Sequence, residues 1–129
     1  MKSVIFLFVL FVNVLCNPHA KQLNENDWIG HYSFSSENKD GLITSFDINI
    51  IKLDDITVIY VSDGEKPETF KKLKSRLIQK NKIEINFNPQ YKEMGIIYIE
   101  KKDEEYFISG SPIYFINPGN NEMPLKKIK

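Results

Sequence analysis

The residues able to perform acid–base, nucleophilic or metal chemistry are few in this sequence of 129 residues. Its two histidines are His19, in a polar stretch, and His31, which the strand pattern predicts to lie on an outer face. Neither has a second histidine at the spacing typical of zinc or copper sites. No Gly-x-Ser-x-Gly turn presents a serine nucleophile, and the Ser-Gly-Ser sequence at 109–111 indicates a turn. We therefore expect no metal site, no cofactor and no enzymatic activity.

Charged residues occur in short runs rather than in paired constellations. The acidic runs Asp54–Asp55 and Asp103–Glu105 fall in predicted turns, and a calcium loop would need more oxygen ligands at fixed spacing. The basic run indicates either a solvated strand face or a patch for anionic lipid or an acidic protein. Its members are Lys71, Lys72, Lys74, Arg76, Lys80 and Lys82, with Lys126, Lys127 and Lys129 near the end. The 17 basic and 17 acidic residues balance, so we expect no nucleic-acid partner.

Aromatic side chains are the best candidates for a binding site. Eight are predicted to face inward: Trp28, Tyr32, Phe34, Phe46, Tyr60, Phe87, Phe107 and Phe115. Such rings either fill the interior of a small barrel or line a cavity for an apolar ligand. The candidate ligand-binding residues are Trp28, Tyr32, Phe46, Tyr60 and Phe115.

The elements that must position these rings are strands, and the clearest of them form a hairpin from Leu42 to Ser62. On its first strand Thr44, Phe46, Ile48 and Ile50 alternate with more polar residues. Asp54 and Asp55 favour a reversal because their side chains can bond their own backbone. A strand of mostly β-branched and aromatic residues follows.

The remaining strands are spaced at intervals typical of a meander. Further strands are predicted over 28–36, 83–88, 95–101, 106–109, 113–116 and 123–128. Residues 68–79 fit a strand by alternation, while Phe70, Leu73 and Leu77 also fit a short helix over 67–79. We favour the strand. The fold class is therefore all-β, an antiparallel up-and-down meander of eight or nine strands closed into a small barrel, with a β-sandwich as the alternative.

The first 16 residues, MKSVIFLFVLFVNVLC, are predicted to be an export signal peptide. Lys2 provides the positive end, and the apolar run is shorter than the roughly 20 residues that span a bilayer. Cleavage after Cys16, cleavage near Ala20 and lipidation of Cys16 all remain open. Residues 17–27 would form a polar tether, and 28–129 one barrel domain without cysteine, held together by its core alone.

The Trp28-x-Gly30-x-Tyr32 opening, the meander and the export signal together resemble small lipocalin-like envelope proteins and uncharacterised bacterial lipoproteins. Lipocalins proper open with Gly-x-Trp, whereas here the tryptophan precedes the glycine. The resemblance implies a barrel with an interior site. We expect an exported envelope protein, periplasmic or extracellular or anchored to a membrane through Cys16, with a non-enzymatic role in binding a small apolar ligand. The alternative is a protein-binding module, such as a secreted inhibitor or immunity-type protein, acting through its loops.

Overall fold

The computed structural model describes residues 24–87 and 91–128. Their elements in order are α1 (Glu25–Trp28), β1 (Gly30–Glu37), β2 (Ile43–Lys52), β3 (Asp55–Val61), β4 (Glu68–Gln79), β5 (Lys82–Asn86), β6 (Ile96–Lys102), β7 (Glu105–Gly110), α2 (Ser111–Ile116) and β8 (Met123–Ile128). The eight strands pair in sequence order, every pair is antiparallel, and β8 pairs with β1 to close the barrel. The predicted up-and-down barrel is confirmed. The predicted signal peptide, Cys16 and the first part of the predicted tether lie outside the described residues.

The barrel interior is built by the alternation that the sequence predicts. On β2 the side chains of Thr44, Phe46, Ile48 and Ile50 are buried, while their neighbours are exposed or half-buried. Residues directly opposite each other on paired strands share a face, so Phe46 contributes to the interior together with Phe34 and Tyr60. Burying one such large apolar side chain contributes about 1.5–3 kcal/mol. A continuous core therefore supplies the stability of a domain that contains no cysteine.

Strand β4 explains why residues 67–79 also fitted a helix. Both Phe70 and Leu73 are buried, although a regular strand would place residues three apart on opposite faces. Lys72 has a φ of 54°, and three steps along β4 match two along β3 at this point, which is a β-bulge. The extra residue returns Leu73 to the inner face. The helix alternative is wrong, and its apparent period comes from one bulge.

The C-terminal part departs from the predicted strands. Residues 111–116, part of which was predicted to be a strand, form helix α2, with a proline in the first turn as helices favour. Phe115 was expected to face inward and is instead 83% exposed. Phe107 was also expected inward, but Ile108 is the buried residue at this level of β7, and the Phe107 ring contacts the Lys102 amine at 5.2 Å.

One end of the barrel is closed by helix α1 and the residues around it. Trp28 was expected to begin the first strand, and it ends α1 instead, so residues 24–27 belong to a capped helix rather than to a tether. The Tyr32 hydroxyl donates to the Trp28 carbonyl at 2.8 Å, and the Lys127 amine donates to the Asp27 carbonyl at 3.0 Å. The Tyr32 and Tyr106 rings meet edge to face at 5.2 Å. Burial, and next the neighbouring Tyr106, raise the pKa of the Tyr32 phenol far above its usual range.

Candidate functional site

The middle of the barrel is filled by side chains. The rings of Phe34 and Phe46 lie 6.1 Å apart, and Tyr60 stacks on Phe46 at 4.7 Å. Farther around the barrel, Phe70 of β4 meets Phe87, which follows β5, edge to face at 5.2 Å. A barrel of eight strands is just wide enough to be filled in this way. Trp28, Phe46 and Phe115 therefore do not line one common cavity, because Phe46 belongs to the packed core that lies between Trp28 and the exposed Phe115.

Above this packed layer, at the end opposite α1, the barrel opens into a cavity of about 880 Å³. We call this cavity the mouth. Its wall is formed by the ends of β1 and β3, the starts of β2 and β4, the segment 91–94 and helix α2. Its apolar lining consists of Tyr60, Phe70, Tyr91, Met94, Pro112, Phe115 and Ile116. The volume falls within the roughly 300–1,000 Å³ that ligand pockets occupy.

The inward face of four consecutive strands changes from aromatic to polar at the level of the mouth. On β1 the change runs from Phe34 to Ser36, and on β2 from Phe46 to Thr44. Beyond the end of β3 Ser62 follows Tyr60, and on β4 Glu68 precedes Phe70. Because residues two apart on a strand share a face, each polar residue lies one step nearer to the opening than its ring. The rings of Tyr60 and Phe70 thus form the floor of the mouth, with Phe46 stacked beneath Tyr60, and the polar side chains form its wall.

A hydrogen-bonded group fixes one side of this wall. The Asp63 carboxylate accepts hydrogen bonds from the Asn38 amide and the Thr44 hydroxyl, both at 3.3 Å. The Asp63 backbone N–H in turn donates to the Thr44 hydroxyl at 3.1 Å. Asp63 has a φ of 45°, a conformation that aspartate tolerates better than most residues. The loop after β3 is therefore held against the start of β2.

The mouth carries an excess of negative charge. Five carboxylates line it, namely Glu37, Asp63, Glu65, Glu68 and Glu93, against the single amine of Lys92. None of the ion pairs among the described residues involves any of these six side chains. Like charges gathered around a concave surface reinforce one another, so the mouth has a negative potential.

The structure separates the five predicted ligand-binding residues into three places. Tyr60 and Phe115 line the mouth. Phe46 lies beneath the mouth, stacked on Tyr60, whereas Trp28 and Tyr32 belong to the closed end. The sequence reasoning did not include Phe70 and Tyr91, whose rings meet at 4.8 Å in the lining. Phe70 lies in the segment that fitted both a strand and a helix, and Tyr91 in a predicted loop. No strand alternation therefore assigned either ring to the inner face.

A second concave surface of about 820 Å³ lies on the outer wall, and we call it the outer groove. It follows the line where β8 meets β1, whose pairing runs only from His31–Ile128 to Ser33–Lys126. Continued in this register, Leu125 would lie opposite Phe34 and Pro124 opposite Ser35, and a proline has no N–H to donate. The two strands therefore separate beyond Ser33, and Ser35 lies in the groove.

The other predicted candidates lie apart from the mouth. His31 is on the outer face, where its ring nitrogen lies 3.5 Å from the Asp47 carboxylate. Of the basic run, Lys71, Lys72 and Lys74 are exposed, and Arg76 pairs with Glu84 at 3.1 Å. Over residues 24–87 and 91–128 no three His, Cys, Asp or Glu side chains gather as metal ligands would, and no helix has the length and apolar character to cross a membrane.

Comparisons with known proteins found no similar protein. The chain matches no protein-family model, no curated protein and no solved structure.

Proposed function

We propose that this protein is a non-enzymatic binding protein that holds a small molecule with an apolar body in the mouth of its barrel. The observation that carries the proposal is the open cavity of about 880 Å³ above a packed core. Its aromatic floor offers the apolar contact, and its polar wall offers the few hydrogen-bonding groups that fix orientation in ligand sites.

Neighbouring residues of β1 allow the mouth and the outer groove to be tested separately. Ser36 is half-buried and lines the mouth, whereas Ser35 is exposed and lines the outer groove. A phenylalanine at either position adds the same volume, so the two variants are matched in chemistry and differ in the site that they fill. Both changes lie near the open end of β1, away from the contacts that close the other end.

The experiment is a fluorescence titration with the neutral, apolar probe N-phenyl-1-naphthylamine. We expect saturable binding to the natural protein, unchanged binding to Ser35→Phe, and an affinity for Ser36→Phe reduced by about tenfold or more, a loss of roughly 1.4 kcal/mol. The opposite pattern would move the site to the outer groove. Absence of saturable binding to the natural protein would refute the proposal.

A second function, binding of another protein through the loops, has one observation in its favour. Helix α2 presents Tyr114 and Phe115, which are 53% and 83% exposed, as an edge-to-face pair with ring centres 6.2 Å apart. Exposed aromatic side chains are enriched at protein interfaces. A photo-crosslinking amino acid at position 114, introduced in the source cells, should then give a discrete adduct that survives Ser36→Phe. The same amino acid at the exposed position 49 of β2 is the control, and equal crosslinking at both positions would refute this function.

We propose in addition that the protein is exported, as its resemblance to small lipocalin-like envelope proteins implies. The support is the sequence of residues 1–16, with an early lysine and an apolar run of signal-peptide length. The mass of the mature protein, purified from the membrane and soluble fractions of its own cells, tests this. A lipid-modified Cys16 indicates an anchored lipoprotein, and a chain that begins at residue 17 or later indicates a soluble one. A mass that retains the first 16 residues would refute export by this route.

A further inference from the structure

The charge of the ligand is indicated by one carboxylate on the inner face of the barrel. Glu68 begins β4 directly opposite Tyr60 of β3. Directly opposite residues in an antiparallel pair project to the same face, so Glu68 shares the inner face with Tyr60. Glu68 also lies two residues from the buried Phe70, and all three residues line the mouth. Of the other four carboxylates, Glu37 ends β1 on the alternate face and three lie in loops, and we call these four the rim; Glu68 is exposed, but it continues the inner face of β4 into the mouth.

Aromatic rings line the mouth together with this carboxylate. Tyr60, stacked on Phe46, lies across from Glu68 on the neighbouring strand. Phe70 and Tyr91 meet at 4.8 Å with their ring planes at 80°, so they present surfaces in two directions. The face of an aromatic ring attracts a cation, and this attraction adds to that of a nearby carboxylate. An anionic ligand would meet repulsion from Glu68 at the same place.

No ion pair among the described residues, 24–87 and 91–128, joins a positive charge to Glu68. Within the part of the chain that the structure describes, the ion pairs join His31 with Asp47, Arg76 with Glu84, and Lys102 with Glu100 and Glu122. All of them lie outside the mouth, where Lys92 is the one amine in the lining. A cationic ligand would therefore be drawn to the mouth by its potential and would not displace an existing partner of Glu68.

We infer that the ligand is a small organic cation, with an ammonium group that pairs with Glu68 and an aromatic or aliphatic body that lies on the rings of Tyr60, Phe70 and Tyr91. The inference rests on the proposed function, since it names the ligand class of the same cavity. The cavity and its aromatic floor define the site, and the inward carboxylate defines the charge that the site accepts.

Three probes with the same phenyl body and different charge test this inference. They are 2-phenylethylammonium, 2-phenylethanol and 3-phenylpropanoate, each measured by its displacement of N-phenyl-1-naphthylamine at low salt. We expect the cation to bind roughly fivefold to tenfold more tightly than the alcohol, and the anion more weakly than the alcohol. The preference for the cation should fall as sodium chloride is raised, because salt screens partly exposed charges.

A pair of charge-matched variants identifies the carboxylate responsible. Glu68→Gln should reduce the preference for the cation over the alcohol to about twofold or less. Glu37→Gln removes the same charge from the rim, at the end of β1 on the alternate face, and should retain most of the preference. Binding of the alcohol reports whether each variant keeps its fold, so a variant that fails to fold is recognised independently of charge.

The possible results separate this inference from the proposed function. If the alcohol and the cation bind equally well, the cation assignment is overturned and the binding function stands. If Glu68→Gln and Glu37→Gln lower the preference equally, the pairing with Glu68 is overturned in favour of the general potential of the rim. If the naphthylamine probe itself fails to bind the natural protein, the proposed function fails and the inference falls with it.

Discussion

Replacing Gly110 with alanine should be among the most damaging small changes in this protein. Gly110 ends β7 and precedes helix α2, and its backbone has φ 115° and ψ −172°. This region is essentially restricted to glycine. A Cβ at this position would lie 2.1 Å from the carbonyl oxygen of Ile96 and 3.0 Å from the Cα of Ile97. Both of these atoms belong to the backbone of β6, so no side chain can turn aside to make room.

The expected magnitude follows from two costs. Holding a residue other than glycine in this conformation costs about 1–3 kcal/mol. Relieving the contact requires β7 to move away from β6 at the pair that joins Ile97 to Gly110, which disturbs the buried Ile97 and Ile113. Together these costs should lower the free energy of unfolding by about 3–5 kcal/mol. For a domain of this size that corresponds to a fall in Tm of roughly 15–25 °C.

The assay is urea and thermal unfolding followed by the fluorescence of Trp28, the sole tryptophan, which is buried at the opposite end of the barrel. Gly119→Ala is the matched control, because a Cβ at Gly119 meets no atom within 4 Å. Its stability should stay within about 0.5 kcal/mol of the natural protein. If Gly110→Ala unfolds within a few degrees of Gly119→Ala, the close approach of β6 and β7 is not what requires glycine.

Two further predictions concern the closed end and the β-bulge. Tyr32→Phe removes the hydrogen bond to the Trp28 carbonyl and should cost about 1 kcal/mol at pH 7, measured by urea unfolding. Because folding raises the pKa of Tyr32, the unfolded chain loses this proton first, so stability should fall as the pH rises above about 10. The fall between pH 8 and 11.5 should be shallower in Tyr32→Phe, and equal slopes in the two proteins would contradict this account. Lys72→Gly relieves the positive φ of 54° and should stabilise by up to about 1 kcal/mol, whereas Lys71→Gly weakens a strand and should destabilise by about the same amount. Equal urea midpoints for these two variants would remove the bulge as the explanation.

The strand order and most of the core follow from local patterns in the sequence. On β1, β2 and β3 a period of two places the apolar face correctly, because the one register shift among them, between Ile50 and Lys52, comes after the last buried residue of β2. Short turns leave each strand only its antiparallel neighbour as a partner, and this arrangement produces the meander. Closure follows because an open sheet of this size would leave two unpaired edges.

The predictions from sequence were wrong where one extra residue shifts the alternation of a strand and where the chain leaves the sheet. At Lys72 the bulge shifts the alternation, so Phe70 and Leu73 gave the spacing of a helix. At Gly110 the backbone turns out of the sheet, and the β-prone residues of α2 then form a helix in place of a strand. A local pattern cannot reveal this turn, because the packing against β6 and β7 determines it. Phe115 was assigned to the interior for this reason.

The position of the mouth, in contrast, is indicated by a pattern in the sequence that the alternation of inward and outward residues does not reveal. The inward position of each of the first four strands changes from an aromatic to a polar residue at the same end of the barrel. The clearest cases are Thr44, two residues before Phe46 on β2, and Glu68, two residues before Phe70 on β4. On both strands the polar residue lies between the ring and the opening of the barrel. A narrow barrel without a disulfide must fill its middle to be stable. The cavity then lies where the strands extend beyond that filling, and the side chains of this extension determine the chemistry that it offers. In this protein the extension carries hydroxyls and a carboxylate above aromatic rings, and the proposed binding of a cation with an apolar body rests on this arrangement.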